Sequence, residues 1–115
     1  MADQAFKEVT APEFSALLAG ERPVLVDFSA TWCGPCKAML PVVERLATQF
    51  AGRAEVVKVD VDNSRDLATA FGVRGVPTFL LFVGGQDVGR ITGLSSEKAL
   101  STLIEAHLAP TQLAT

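Results

Sequence analysis

Both cysteines of the 115-residue chain fall within one pentapeptide, Trp32-Cys33-Gly34-Pro35-Cys36. Two thiols with two residues between them, and none elsewhere, rule out a disulfide framework. They leave a redox dithiol or half of a metal site. A thiolate is the attacking species in disulfide exchange, and a free thiol is mostly protonated at neutral pH. Chemistry therefore depends on what sits around the sulfurs. Val24 to Phe28 precedes the motif as an almost unbroken apolar run, the pattern of a strand covered on both faces. A helix is expected to follow, from about Gly34 to Phe50, with Cys36, Met39, Leu40, Val43, Leu46, Ala47 and Phe50 on one stripe. Pro41 lies within that stripe and is expected to kink the helix rather than end it. Cys33 then stands where unpaired backbone N–H groups converge and favour a negative charge. It is the candidate nucleophile, free to face solvent. Cys36, one turn on, points to the core and is placed to attack a mixed disulfide. Gly34 allows close approach of the backbone, and Pro35 suits a first helical turn because its missing N–H has no partner there anyway. Gly-Pro brings neither a histidine nor a charge to the sulfurs, so a reducing couple is expected rather than a strong oxidant.

Asp27 is the next informative residue. A carboxyl inside Val24-Leu25-Val26-Asp27-Phe28 is expensive to bury charged, so its pKa is expected to be raised. Such an acid near a buried thiol can take the proton from Cys36 in the second exchange step. The alternative is an aspartate that caps backbone or pairs with a lysine, since structural ion pairs perturb pKa values too. Lys58, between valines on another strand, is its candidate charge partner or else a solvated edge lysine. Val76-Pro77-Thr78 opens a strand, and base expectation alone makes its X-Pro bond trans. Trp32 reads as part of an apolar rim beside Cys33. Gly93, just past a strand, reads as its terminator. His107, the only histidine, reads as a surface residue near a helix end, not a ligand or base.

The elements that must position these residues follow from patterning. A short edge strand is expected around Ala5 to Val9. Thr10 and Glu13 make a capping box for a helix with Phe14, Leu17 and Leu18 inward, closed at Gly20. Val56 to Val61 is a third strand. Asn63 or Ser64 starts a short helix with Leu67, Ala70 and Phe71 inward. Thr78 to Val83 and Gln86 to Ile91 form a hairpin about Gly84-Gly85. Ser95 or Ser96 caps a last helix carrying Leu100, Leu103, Ile104 and Leu108. The order β-α-β-α-β-α-β-β-α predicts an α/β fold, a mixed sheet with helices on both faces. The cysteines sit at the carboxyl end of a central strand, where α/β folds place their sites.

Composition narrows the class of function. A hydrophobic fraction of 49% with 20% charged residues is that of a globular chain, of a length that fits one domain over 1–115. A net charge of −3 without a basic stripe argues against nucleic acid. Phe79 to Val83, the longest apolar stretch, is far too short to span a bilayer. Met1 to Glu8 carries no export signal, so a cytoplasmic protein is expected, complete from its initiator Met. In that compartment a disulfide is more often transient than structural.

With these residues assembled, the chain resembles the thioredoxin family over about residues 5–108. The resemblance rests on Val26-Asp27-Phe28-Ser29-Ala30-Thr31-Trp32-Cys33-Gly34-Pro35-Cys36-Lys37 and Gly72-Val73-Arg74-Gly75-Val76-Pro77-Thr78. Thioredoxin is the type example of this cysteine motif, so the link is one of likeness. It implies a thioredoxin fold, a five-stranded mixed sheet flanked by four helices, and a cis bond before Pro77. It implies protein-disulfide reduction through reversible oxidation of Cys33 and Cys36, with Asp27 and Lys58 as buried acid and lysine partner. Trp32, Gly34, Pro35, Val76, Pro77 and Gly93 map onto the family's apolar docking surface. The implied partners are a thioredoxin reductase and oxidised client proteins, with the chain itself a monomer. No cofactor is implied in this chain, since NADPH belongs to the reductase. Ser29 stands where many members carry a second Trp, and Thr92 at a docking position that is often apolar. Against this stand a non-catalytic thioredoxin-like binding module, which degenerate cysteines would favour but these intact ones do not, and a metal site, which needs about four ligands where two cysteines and a remote His107 fall short. A Cys–His hydrolase is disfavoured because a nucleophile followed by Gly-Pro-Cys is prone to oxidise.

Overall fold

In the computed structural model, which describes residues 6–108, each change in apolar period marks a change of element. The order is β1 (Lys7–Glu8), α1 (Ala11–Leu18), β2 (Val24–Ser29), α2 (Gly34–Gln49), β3 (Glu55–Asp60), α3 (Arg65–Ala70), β4 (Thr78–Val83), β5 (Gln86–Thr92) and α4 (Glu97–Glu105). The readings of Met1 to Ala5, including the start of the expected opening strand, and the domain's far end at 109–115 lie outside the described residues.

The five strands form one sheet in the order β1-β3-β2-β4-β5. β3 runs parallel to both β1 and β2, while β4 is antiparallel to β2 and β5. The parallel pairs need crossover helices, and the β4–β5 hairpin needs only a tight turn. Gly84 and Gly85 make that turn with φ of 58° and 79°, a region open to glycine at little steric cost.

Alternation along the central strands sends neighbouring residues to opposite faces. Leu25, Val56, Phe79 and Leu81 pack on one face with Met39, Val43 and Leu46 of α2 and Leu100 and Ile104 of α4. Val24, Val26, Phe28, Leu80 and Phe82 pack on the other with Phe14 of α1 and Leu67 of α3. There the rings of Phe14, Phe71 and Phe82 meet edge to face, with centroids 5.0 to 5.5 Å apart.

The helix ends follow the expected chemistry in most places. Glu13 reaches back to accept the Thr10 backbone N–H at 3.0 Å. Ser96 is the residue that starts α4, its Oγ accepting from Ala99 N–H at 3.0 Å. Ser64 starts α3, but Ala68 rather than Ala70 is buried beside Leu67. The helix is only six residues long, so a stripe drawn across its end overshoots, and Phe71 already lies beyond it. The Arg90 guanidinium donates to the carbonyls of Phe71 and Gly72 there, closing the end of α3. α2 runs continuously through Pro41, and Phe50 caps it rather than forming its last turn. His107 is half-buried, its Nδ1 3.1 Å from the Leu103 carbonyl oxygen one turn back.

Candidate active site

The site stands where β2 gives way to α2. Cys33 has extended backbone angles (φ −93°, ψ 114°) and forms the N-cap of α2, its Sγ accepting the Cys36 N–H at 3.1 Å. That contact is the convergence of free helix-start donors expected from the sequence, now seen at the sulfur itself. Cys33 and Cys36 are joined in a disulfide, with Cα atoms 5.3 Å apart.

One expectation needs correction. Cys33 does not face solvent freely. It is 5% exposed and Cys36 is 3% exposed. Both pack with Ala30, Val61 and Val76, so in the disulfide form apolar neighbours cover the pair almost equally. The difference between the sulfurs lies in position, one capping the helix and the other inside its first turn.

The Val76–Pro77 bond is cis, as the family resemblance implied and against the trans expectation from the residues alone. X-Pro bonds are the ones for which cis is within reach of ordinary packing energies. The Val76 carbonyl oxygen lies 3.7 Å from Cys33 Sγ. The Pro77 carbonyl in turn accepts the Gly93 N–H at 2.8 Å. Gly93 takes φ +89° there. So Cys33, Val76, Pro77 and Gly93 adjoin one another, although they are spread over sixty positions of the chain.

Trp32 is the most exposed large apolar side chain among the described residues, at 68%, yet its indole N–H donates to Asp62 Oδ2 at 2.8 Å. Gly34 and Pro35 are exposed beside it. Two residues near this rim escaped the reading of the sequence. Asp62 comes from the turn after β3, thirty positions from Trp32, and nothing in the local sequence links them. Leu94, 66% exposed, directly follows Gly93. Its signal was present: a leucine against Ser95-Ser96 in a turn has no local reason to be apolar.

Beneath the cysteines, Asp27 is 1% exposed and neither carboxylate oxygen has a hydrogen-bonding partner among the described residues. Burial pushes its pKa up from 3.8 to about 7, with the Lys58 charge partly opposing the shift. Asp27 shares its face with Leu25, two residues earlier on β2, which packs on α2. The helix that carries Cys36 packs on that face. Lys58 is the register partner of Asp27 on β3. The direct ion pair is not formed, however: Lys58 Nζ lies 5.7 Å from the centre of the Phe6 ring. A long flexible stem lets the ammonium reach an aromatic face and solvent rather than enter the apolar layer around Asp27.

Among the described residues no cluster of three or more His, Cys, Asp or Glu is arranged to hold a metal ion. Nor, among those residues, is any helix long and apolar enough to cross a membrane.

A capped, disulfide-bonded Cys-X-X-Cys pair on a mixed sheet with this strand order defines a thiol–disulfide exchange protein. Comparison with known proteins makes the class specific. The thioredoxin family model matches residues 5–106. Thioredoxin 1 of Nostoc sp. is 44% identical over 92 residues, covering 80% of this chain and 86% of that one. A bifunctional thioredoxin reductase/thioredoxin of Mycobacterium leprae is 48% identical over 94 residues, 81% of this chain but 20% of that longer protein. Among solved structures, a substituted thioredoxin of Halobacterium salinarum superposes with a TM-score of 0.84 at 45% identity, covering 90% of this chain and 91% of that one. The chain belongs to the thioredoxin family. It has the thioredoxin fold and is a thiol–disulfide oxidoreductase that reduces protein disulfides.

Proposed function

We propose that exchange runs in two steps with distinct roles for the two sulfurs. The Cys33 thiolate attacks one sulfur of a client disulfide, forming a mixed disulfide and expelling the client's other sulfur as a thiolate. The Cys36 thiol gives its proton to the Asp27 carboxylate and attacks Cys33 Sγ. The second client sulfur leaves as a thiolate, and Cys33–Cys36 is now the disulfide. Two electrons have passed to the client. The observation that carries this assignment is the Cys36 N–H on Cys33 Sγ at 3.1 Å, a donor aimed at the sulfur that must hold charge. An unpartnered carboxyl held near neutrality on the Cys36 side supports the second step.

Lys58 acts on Asp27 by its charge from across the strand pair rather than by contact. Gly34 and Pro35 tune the couple by adding no charge between the sulfurs. Trp32, Gly34, Pro35, Val76, Pro77 and Gly93 form the docking rim, to which Leu94 adds an exposed apolar side chain. The Val76 backbone beside Cys33 suits an extended client segment. The electron donor is a thioredoxin reductase using NADPH, a pairing that the name of the Mycobacterium leprae relative places within one protein. The chain works as a cytoplasmic monomer on oxidised client proteins, which size-exclusion chromatography and cell fractionation test directly.

The decisive assay is dithiothreitol- or reductase-driven reduction of a protein disulfide. Cys33→Ser is expected to be inactive and Cys36→Ser to accumulate mixed disulfides. Turnover that survives loss of Cys33 defeats the assignment, whereas a wild type without turnover leaves the chain a binding module. Asp27→Asn is expected to slow exchange at neutral pH, so unchanged rates from about pH 6 to 9 remove the proton-transfer role.

A further inference from the structure

The strand order brings a row of alternating charge to the edge of the site. Glu8 of β1 is in register with Lys58 of β3, and Lys58 is in register with Asp27 of β2. Register partners on neighbouring parallel strands project to the same face. A negative, a positive and a negative residue therefore lie side by side across three adjacent strands. Lys58 stands between two carboxylates and, among the described residues, forms an ion pair with neither.

Each member of the row is held differently. Asp27 is sealed under the sheet face. Glu8 is exposed, and its Oε2 accepts from the Asn63 side-chain amide at 3.0 Å. Asn63 is itself fixed, because its backbone N–H donates to Asp60 Oδ1 at 3.2 Å, an oxygen that also takes the Asp62 N–H at 2.8 Å. A cavity of about 220 Å³ has Glu8, Lys58 and Asp60 among its walls, together with Lys37, Ser29 and Cys36. The charged groups facing the row are thus Glu8 from β1, Lys58 and Asp60 from β3, and Lys37 from α2. Asp60 is engaged by backbone donors, and Lys37 is exposed.

We propose that Glu8 and Asn63 are a positioning pair for the buried carboxyl: Asn63 holds Glu8 off Lys58, which leaves the lysine's charge directed at Asp27. The inference rests on the reading of Asp27 as proton acceptor for its catalytic meaning, but its electrostatic content is separate. If Asn63 releases Glu8, the glutamate can pair with Lys58 and withdraw the one cation that favours ionised Asp27. If Glu8 loses its charge, Lys58 serves Asp27 alone and a like charge disappears from the row.

The two removals therefore push Asp27 in opposite directions. The carboxyl carbon of Asp27 is titrated by NMR in the disulfide form of the wild type, Glu8→Gln and Asn63→Ala. Glu8→Gln is expected to lower the Asp27 midpoint by roughly half a pH unit, about threefold in its protonation equilibrium, for a unit charge near the lysine. Asn63→Ala is expected to raise it by a similar amount, and both displacements shrink as salt is added. A merely structural role for the pair would change stability but not produce displacements of opposite sign. Any outcome other than opposite displacements overturns the proposal. The pH profile of mixed-disulfide release is then measured on the same variants. If the midpoints move apart while that profile stays fixed, the positioning pair stands and the proton-acceptor reading of Asp27 falls.

Discussion

Replacing Asp27 by Asn tests the energetics of the site without touching a sulfur. The carboxyl has an ordinary value of 3.8 and is held at about 7 in the folded chain, chiefly because burial strips its hydration. Below the ordinary value both folded and unfolded chains carry the proton, so ionisation contributes nothing. Between the two values the unfolded chain has released a proton that the folded chain keeps, and stability falls as pH rises. Above the folded value both are ionised and the full loss is in place. That loss amounts to roughly 4 kcal/mol, a large part of the stability of a domain of this size. Asn does not titrate. The stability of Asp27→Asn minus that of the wild type should therefore grow by about 4 kcal/mol from about pH 3.5 to pH 8, with most of the change complete by neutrality. A buried amide without a partner adds a constant penalty of about 1–3 kcal/mol, which displaces the curve but leaves its slope intact. Urea unfolding of both proteins in the disulfide form, at four or five pH values, gives the difference directly, and every other titrating group cancels. A difference that is constant to within about 1 kcal/mol over that range refutes the reasoning, as does an Asp27 NMR midpoint near the ordinary carboxylate value.

Four further substitutions test packing, backbone geometry and the exposed rim. Phe82→Ala, at a side chain 1% exposed and in edge contact with Phe14 and Phe71, should lower unfolding stability by about 3–5 kcal/mol. A denaturant midpoint close to wild type would show that this ring cluster does not hold α1 and α3 to the sheet. Gly93→Ala should cost about 1–2 kcal/mol although its added Cβ meets no atom within 4 Å, because φ is +89°. Gly34→Ala, in equally open space but at a helical angle, should be neutral or stabilising by up to about 1 kcal/mol, so equal losses at the two glycines would contradict the backbone argument. Leu94→Ser should leave stability within about 0.5 kcal/mol of wild type while raising KM for a protein disulfide. An unchanged KM places Leu94 outside the docking rim.

What the sequence made legible was local or periodic. The stripe from Cys36 to Phe50 reports a helix and its covered face, and the unbroken apolar run Val24–Phe28 a strand covered on both faces, so the order of elements and the position of Cys33 at a helix start could be read directly. The burial of Asp27 followed from its neighbours in the same strand. What stayed hidden depends on contacts between distant segments. The indole of Trp32 finds Asp62 only because β3 ends beside β2. Lys58 could be expected on a strand neighbouring Asp27, and the register places it there, yet where its ammonium goes is decided by the Phe6 ring, 52 positions away. The cover over Cys33 has the same origin, since Val61 and Val76 arrive from two other connections. A six-residue helix such as α3 offers too few turns for a stripe to be phased, which is why Ala70 was assigned the place of Ala68.

The covering of Cys33 changes how selectivity at the two sulfurs must arise. If exposure separated attacker from resolver, a 5% against 3% difference in the disulfide form would separate them hardly at all. The cap geometry separates them better. Only Cys33 Sγ receives a helix-start N–H, and the partnerless carboxyl beneath lies on the Cys36 side. One sulfur is thus equipped to carry negative charge, and the other to give up a proton when the mixed disulfide forms. On the proposed two-step reading, the order of the two attacks follows from those unequal surroundings.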